Sequence, residues 1–194
     1  MNPSDLEAIL QGQKKELMGI DLAGIDLSEA NLAQANLRGA NLNGSILKQS
    51  DLRANLRGAD LMGAILIAAD LRNADLRGAI LLEADTTNAS FAGAFLAGAV
   101  LSNLNLTEVD LRGADLRGAN LSGCILRNAD LANANLAGTD LSGADLEEAN
   151  LGGAILRGAN LTQANLLCAS IDNANFDGAT LTKTCLTGTP LAVQ

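Results

Sequence analysis

Leucine recurs at nearly every fifth position of this chain from Leu22 to Leu191, and the positions between are mostly small or polar. A straight β-strand would point successive leucines to opposite sides, and a continuous helix would spread them around its cylinder. The chain must therefore turn once per repeat, so that every leucine points to the same interior. This pattern predicts an all-β fold of the β-solenoid type.

The residues around each leucine follow a common rule, seen for example in residues 114–118. With leucine at position i, a small Ala stands at i−2, Asp or Asn at i−1, and Arg, Ser or Asn followed by Gly or Asn at i+1 and i+2. Strand alternation places i−2 and i inside and i−1 outside. Gly and Asn tolerate the positive φ of tight turns, so we predict a corner at i+1 and i+2.

The spacing of the arginines does not by itself fix the number of sides. Arg77, Arg117 and Arg157 lie forty residues apart, which fits a coil of twenty residues but not one of fifteen. Arg57 and Arg72, however, are fifteen residues apart. The arginine spacing is therefore compatible with coils of three pentapeptides and with coils of four.

The recurring motif Ala-(Asp/Asn)-Leu-X-X resembles that of the pentapeptide repeat proteins over nearly all of residues 20–191. The resemblance implies a right-handed quadrilateral parallel β-helix, with four pentapeptides per coil and a dry core of stacked leucines.

The amino-terminal residues depart from the repeat and predict a short α-helix. Ser4 and Glu7 have the spacing of a capping box, and Leu6, Ile9 and Leu10 form one apolar helix face. Because a solenoid exposes core leucines and unpaired strand edges at its ends, we expect this helix to cap the first coil. We assign residues 1–16 to the cap and its lead-in, 17–191 to a single β-helix domain, and 192–194 to a tail.

The carboxyl end has no comparable helix in its sequence. Pro190 cannot donate a ladder hydrogen bond and discourages further strand addition. Either the proline protects this edge, or the uncapped coil pairs with a second copy of the chain. An exposed apolar face is a second route to a homodimer.

Charge and hydropathy exclude several classes of partner. The net charge of −9 argues against direct nucleic-acid binding, which needs cations to neutralise phosphates. No segment offers the roughly 20 apolar residues of a membrane-spanning helix, and no charged-then-apolar signal peptide opens the chain. We expect a cytoplasmic protein that does not bind membranes, unless a targeting segment was removed.

The chain contains few of the residue types that catalysis needs. It contains no His, Tyr or Trp, which excludes a histidine base and imidazole metal ligands. Carboxylates at i−1, such as Asp110 and Asp130, would stack in neighbouring coils, and we interpret them as solvated ladder residues. We predict no enzymatic activity, no cofactor, no metal site and no catalytic residue.

The outward positions that remain suggest two candidate surfaces. On a four-sided coil, eight of the nine arginines fall into two columns on neighbouring faces. They are the candidate partner-binding residues Arg38, Arg57, Arg77, Arg117 and Arg157 in one column, and Arg53, Arg72 and Arg112 in the other. The candidate apolar interface consists of Met62, Ile80, Leu82 and Val100 on one face and Ile65 and Ile67 on the next.

Two irregularities in the repeat lead to further predictions. Only three residues separate Leu52 from Leu56, so we predict a tightened corner at Arg53 and Ala54 with an unbroken leucine stack on both sides. Thr86 takes a leucine position, while Leu104 takes an Ala position one coil later. We interpret this pair as volume compensation, because protein interiors are closely packed.

Two functional hypotheses remain. The first is a noncatalytic interaction or scaffold rod for a protein partner that the sequence does not identify. The second is implied by the resemblance: some pentapeptide repeat proteins mimic duplex DNA and bind a type II topoisomerase, gyrase. Acidity fits the second hypothesis, whereas leucine in place of Phe in the core and the two arginine columns do not.

Overall fold

The computed structural model describes residues 3–193. It contains one α-helix, α1 (Pro3–Leu10), and one 3₁₀ helix (Pro190–Val193). Between them the chain forms parallel contacts that are one residue pair wide, from Glu16 to Cys185. Each side of a coil is therefore a short extended segment between two corners.

The bridge pairs settle the number of sides. Asp110 pairs with Asp130 and Asn135 pairs with Ile155, an interval of twenty residues or four pentapeptides. The fold is a right-handed quadrilateral parallel β-helix, as the resemblance implied.

The four faces are named here by the bridge residues that stack along them. Face 1 carries Glu16, Asn36, Asn55, Asp75, Phe95, Asp115, Asn135, Ile155 and Asn175. Face 2 carries Asp21, Asn41, Asp60, Ile80, Val100, Asn120, Asp140, Asn160 and Thr180. Face 3 carries Asp26, Ile46, Ile65, Asp85, Asn105, Ile125, Asp145, Asn165 and Cys185. Face 4 carries Asn31, Asp51, Asp70, Ser90, Asp110, Asp130, Asn150 and Ser170.

The interior is built as the repeat predicts. The leucines at position i from Leu22 to Leu166 are buried, and the alanines at i−2 share their interior. The residue at i+2 adopts a positive φ at regular corners, for example +67° at Gly78 and +58° at Asn73. The N–H of Leu116 donates to the carbonyl of Asn135 (2.8 Å), and the N–H of Asn135 donates to the carbonyl of Ala114 (2.9 Å). A third hydrogen bond at regular sides comes from the i+2 residue, as the N–H of Gly118 donates to the carbonyl of Ala137 in the next coil (3.1 Å).

The two ends of the rod differ. Helix α1 buries Ile9 fully, and the carbonyl of Leu10 accepts a hydrogen bond from the N–H of Asn31 (3.0 Å). The core leucines of the first coil, from Leu17 onward, are consequently buried. The predicted cap is confirmed, although the helix begins at Pro3 and so includes Ser4. Residues 1, 2 and 194 of the assigned cap and tail lie outside the described residues.

The last coil is only partly covered. Phe176, Leu181 and Leu186 remain half-exposed although they point to the core. Pro190 stands where the next ladder N–H would be, and the chain turns there into the 3₁₀ helix, which the sequence did not predict. Within residues 3–193, the eight backbone N–H groups of this coil that would donate to a further coil have no acceptor: those of Ile171, Asn173, Phe176, Gly178, Leu181, Lys183, Leu186 and Gly188.

The register slip has the predicted form. Asp51 and Asn55 keep their bridges to the preceding coil, and Leu52 and Leu56 are both fully buried. The corner between them tightens, and the N–H of Ala54 donates to the carbonyl of Leu52 (2.7 Å), two residues earlier. One pentapeptide has thus lost its i+2 residue without disturbing the leucine stack.

The second irregularity disturbs the backbone more. Thr86 and Leu104 are both buried, as volume compensation requires. Asp85 and Asn105, however, form no bridge with each other, and no carbonyl among the described residues accepts from the N–H groups of Thr86 and Asn105. The Thr86 hydroxyl donates to the carbonyl of Asn105 instead (3.0 Å). We attribute this gap to the side chain of Leu104, which is larger than that of Ala84 at the same position one coil earlier.

Candidate functional site

The two predicted arginine columns exist. Hydrogen bonds from glycine N–H groups to arginine carbonyls stack Arg38, Arg57 and Arg77 in consecutive coils of face 1. Arg117 and Arg157 continue this column in alternate coils. Arg53, Arg72 and Arg112 lie on the neighbouring face 4, beside Asp51, Asp70 and Asp110.

Five of these arginines are held by an aspartate two residues earlier. In the pair Asp75 and Arg77, the guanidinium donates from Nε to Oδ1 (2.8 Å) and from Nη2 to Oδ2 (2.6 Å). The same Oδ1 accepts the backbone N–H of Arg77 (3.2 Å), which fixes the start of the corner. The pattern repeats in Asp51–Arg53, Asp70–Arg72, Asp110–Arg112 and Asp115–Arg117.

These pairs shift the titration of their carboxylates. The hydrogen-bonding guanidinium of Arg77 holds the pKa of Asp75 below its ordinary value. The pKa values of Asp51, Asp70, Asp110 and Asp115 are lowered for the same reason. The carboxylates therefore stay ionised to lower pH than free aspartates, and most of the arginine charge is neutralised at the surface.

Three arginines of face 1 are different. Arg38 and Arg57 follow Asn36 and Asn55 rather than aspartate, and Arg157 follows Ile155. Among residues 3–193 these three guanidinium groups make no ion pair. The unpaired positive charge of the column is thus concentrated in the neighbouring pair Arg38 and Arg57.

The predicted apolar residues also lie together. Ile80 bridges to Val100 on face 2, and the N–H of Gly63 donates to the carbonyl of Leu82, which places Met62 and Leu82 in neighbouring coils. Ile65 and Ile67 lie on face 3, across one corner. Met62 and Ile80 are exposed, whereas Ile65, Ile67, Leu82 and Val100 are half-buried.

Sequence reasoning missed four large apolar side chains at the surface. Phe95, the most exposed bridge residue of this kind, is 47% exposed between Asp75 and Asp115 on face 1. Ile125 and Ile155 are exposed bridge residues, and Met18 is exposed at an i+1 position. Reading every i−1 position for apolar residues would have found three of them.

The rest of the described surface offers little that points to catalysis. Cys124 is buried, its thiol donates to the carbonyl of Leu101 (3.0 Å), and burial raises its pKa to about 12. Within residues 3–193 no group of three or more Cys, Asp or Glu side chains is placed to hold a metal ion. No helix in that range is long and apolar enough to cross a membrane.

Comparisons with known proteins agree with the fold. A model of pentapeptide repeats, eight copies long, matches residues 16–53, 53–81, 84–123, 114–153, 124–163 and 154–189. No curated protein matches the chain by sequence.

Similar solved structures include three pentapeptide repeat proteins. HetL, involved in heterocyst differentiation regulation in the cyanobacterium Nostoc sp. strain PCC 7120, is 28% identical, with 97% of this chain and 98% of HetL covered and a TM-score of 0.36. QnrB1, a plasmid-mediated fluoroquinolone resistance protein, is 19% identical over 87% of this chain and 78% of its own, with a TM-score of 0.49. A protein from the Arabidopsis thaliana thylakoid lumen is 33% identical over 58% of this chain and 68% of its own, with a TM-score of 0.27. Since the repeat model matches most of residues 16–189 and the coil has the repeat's geometry, the chain belongs to the family of pentapeptide repeat proteins.

Proposed function

We propose that this protein is a noncatalytic interaction rod, formed by residues 17–191, that presents its flat faces to a protein partner in the cytoplasm. This proposal is supported by the separation of core positions and outward positions within the repeat. Leucines and alanines fill the core, so that the side chains free to meet a partner are those at i−1, i+1 and i+2. Three cysteines without disulfides agree with a reducing compartment.

The arginine columns are the proposed contact surface. Face 1 holds five arginines and four acidic residues, whereas face 3 holds two basic and seven acidic residues. Arg is also among the residues enriched at protein interfaces. The apolar residues around Met62 and Ile80 add a second area on faces 2 and 3 where a partner can bury apolar surface.

Affinity capture from a lysate of the source organism tests this proposal. The wild type is compared with a triple variant, Arg77→Glu, Arg117→Glu and Arg157→Glu, and retained proteins are identified by mass spectrometry. The control is Lys48→Glu, Arg127→Glu and Lys183→Glu, which changes the charge equally on faces 2 and 3. Loss of a specific protein from the first variant alone is expected. Equal retention by all three forms would contradict a role for the arginine column.

Self-association through the carboxyl-terminal coil belongs to the same proposal. Within the described residues, this coil leaves core residues such as Phe176 half-exposed and leaves unpaired the eight N–H groups that would donate to a further coil. Unpaired edges of this kind favour pairing with another chain. Analytical ultracentrifugation of the wild type and of a Phe176→Asp variant tests it: a dimer that the variant loses is expected, and a wild-type monomer at high concentration would contradict it.

A second candidate is DNA mimicry directed at a type II topoisomerase, and the acidic face 3 favours it. Its acidic residues are Asp26, Glu29, Asp85, Glu108, Asp145, Glu147 and Glu148. A gyrase supercoiling assay with the wild type and a Glu147→Gln, Glu148→Gln variant tests this candidate. Inhibition by the wild type that the variant relieves would support it, and no effect at excess protein would remove it.

A further inference from the structure

The register slip leaves a cavity at the corner between faces 4 and 1. Its volume is about 480 Å³, within the usual range for ligand pockets. The preceding and following coils fill this corner with Gln34 and Asn73, but the coil between them has no i+2 residue. We call this cavity the corner notch; its wall includes Gln34, Arg53, Asn55, Asn73, Phe95 and the ion pair of Asp75 with Arg77.

The notch contains hydrogen-bonding groups that the fold does not use. In a regular coil the N–H of the i+2 residue donates to an arginine or equivalent carbonyl one coil later, as Gly58 does to Arg77 (3.0 Å). At the slip that donor is missing, and no N–H group within residues 3–193 donates to the carbonyl of Arg72, which precedes the notch residue Asn73 but does not itself line the cavity. The side-chain amides of Gln34 and Asn73 make no hydrogen bond within that range either, although Oδ1 of Asn73 lies against Gly93 of the following coil. These groups are available to the main chain of a bound peptide.

The unpaired arginines lie next to this notch. The backbone N–H of Arg57 donates to Oδ1 of Asn55, a notch residue (3.2 Å), and Arg38 stands one coil below Arg57. Neighbouring coils are about 4.8 Å apart, so the two like charges stack closely. The carboxylate in the coil beyond Arg57, that of Asp75, is already ion-paired with Arg77. An acidic ligand would relieve this repulsion and would satisfy guanidinium donors that have no partner in the described structure.

We propose that this part of face 1 binds an extended acidic segment of the protein partner. Carboxylates of the segment pair with Arg38 and Arg57, an apolar side chain packs against the exposed ring of Phe95, and its main chain hydrogen-bonds in the corner notch. Arginine clusters recognise acidic motifs in this way in other proteins. The inference rests on the proposed interaction function and names the partner's chemistry and the place where it binds.

The charge distribution favours a short acidic segment over a nucleic acid. The whole chain carries −9, and face 3 opposes any long polyanion that wraps the rod. A peptide of a few residues contacts only the local cluster of arginines. Debye screening confines such an attraction to about 10 Å at 0.1 M salt.

The experiment uses fluorescence anisotropy at low ionic strength with a labelled peptide of four Glu-Leu repeats and a matching peptide of four Gln-Leu repeats. We expect the full chain to bind the Glu-Leu peptide and to bind the Gln-Leu peptide more weakly. The variant Arg38→Gln, Arg57→Gln should weaken Glu-Leu binding by at least about tenfold, since it removes the charge-assisted hydrogen bonds to the carboxylates of the peptide. The control Lys48→Gln, Arg127→Gln removes the same charge from face 3 and should change binding by no more than about twofold.

Two further variants test the notch itself. Phe95→Ala removes the exposed ring, and a glycine inserted between Arg53 and Ala54 fills the corner without changing the charge. Both should weaken Glu-Leu binding several-fold, and circular dichroism would establish that both fold. The proposal is overturned by absent wild-type binding, by equal losses in the face 1 and face 3 variants, by notch variants that bind normally, or by an oligonucleotide that displaces the peptide.

The outcome can be separated from that of the wider proposal. If lysate capture still shows a partner that depends on Arg77, Arg117 and Arg157 while the Glu-Leu peptide does not bind, the acidic-segment inference fails and the interaction rod stands. If neither experiment shows binding, both fail.

Discussion

The two irregular regions of the β-helix interrupt different features of the repeat: one changes a corner, and the other changes the core and the hydrogen-bond ladder. At the slip between Leu52 and Leu56 a corner residue is missing, yet the bridges and the leucine stack continue. Between Thr86 and Leu104 every residue of the repeat is present, yet the ladder on face 3 opens. The corners lie outside the core and tolerate a deletion. The interior tolerates less, because a change of side-chain volume there alters the distance between coils.

The largest expected effect on stability distinguishes a leucine in a regular coil from a leucine in the irregular coil. Leu116 stacks in a regular coil, so Leu116→Ala leaves a cavity and should cost about 2–5 kcal/mol of unfolding free energy. Leu104→Ala should cost less than half as much, because the coils can then approach and restore the ladder. Urea denaturation measures both. Amide hydrogen exchange should show new protection at Thr86 and Asn105 in the Leu104 variant, and equal costs without that protection would refute our account of the gap.

The next effect tests the proposed volume compensation. Thr86→Leu in the wild-type background adds volume beside Leu104 and removes the hydroxyl that donates to the Asn105 carbonyl. Overpacking of this kind usually costs about 1–3 kcal/mol, so the melting temperature should fall. A clear rise in melting temperature would show that the position has unfilled space and that no compensation exists.

A smaller effect is expected from repair of the slip. The glycine inserted between Arg53 and Ala54 restores the five-residue period and supplies an N–H donor for the carbonyl of Arg72. The gain should be about 0.5–1.5 kcal/mol, the usual net value of one hydrogen bond. A glycine inserted instead between Arg112 and Gly113, in a regular corner, is the control and should destabilise. If both insertions destabilise equally, the tight corner is the preferred local structure.

The smallest effect concerns pH and the paired aspartates. Folding lowers the pKa of Asp51 and of Asp110, so each contributes stability above the unfolded pKa of about 3.9 and loses it as pH falls through the lower folded value. Arg53→Gln and Arg112→Gln should each reduce the loss of melting temperature on acidification, and by the same amount. Thermal melts between neutral and acidic pH measure this. A larger effect at Arg53 would mean that the slip corner depends on its ion pair.

Much of this structure could be predicted from the sequence because the fold repeats one local rule. The buried leucines, the outward Asp and Asn residues and the positive φ at i+2 follow from strand alternation and turn chemistry. The positions of the two arginine columns could also be predicted from the sequence, once a coil of four sides was assumed. The amino-terminal cap was predicted from the periodicity of Leu6, Ile9 and Leu10.

Other features depended on contacts between coils. The sequence shows Asn36 and Asn55, rather than aspartates, two residues before Arg38 and Arg57. The absence of ion pairs at these two arginines within residues 3–193, however, could be seen only from the geometry of the neighbouring coils. The corner notch, likewise, combines residues from four successive coils, from Gln34 to Phe95.

The sequence by itself determined the repeat, the inside and outside of every side, and the place of both irregularities, because each is set by residues within one or two pentapeptides. The tertiary structure decided which carbonyls and amides lost their partners, that the carboxyl-terminal core stays half-exposed, and that the slip opens a cavity beside unpaired arginines. These properties depend on distances between residues about twenty positions apart, and those distances are fixed only when one coil packs on the next.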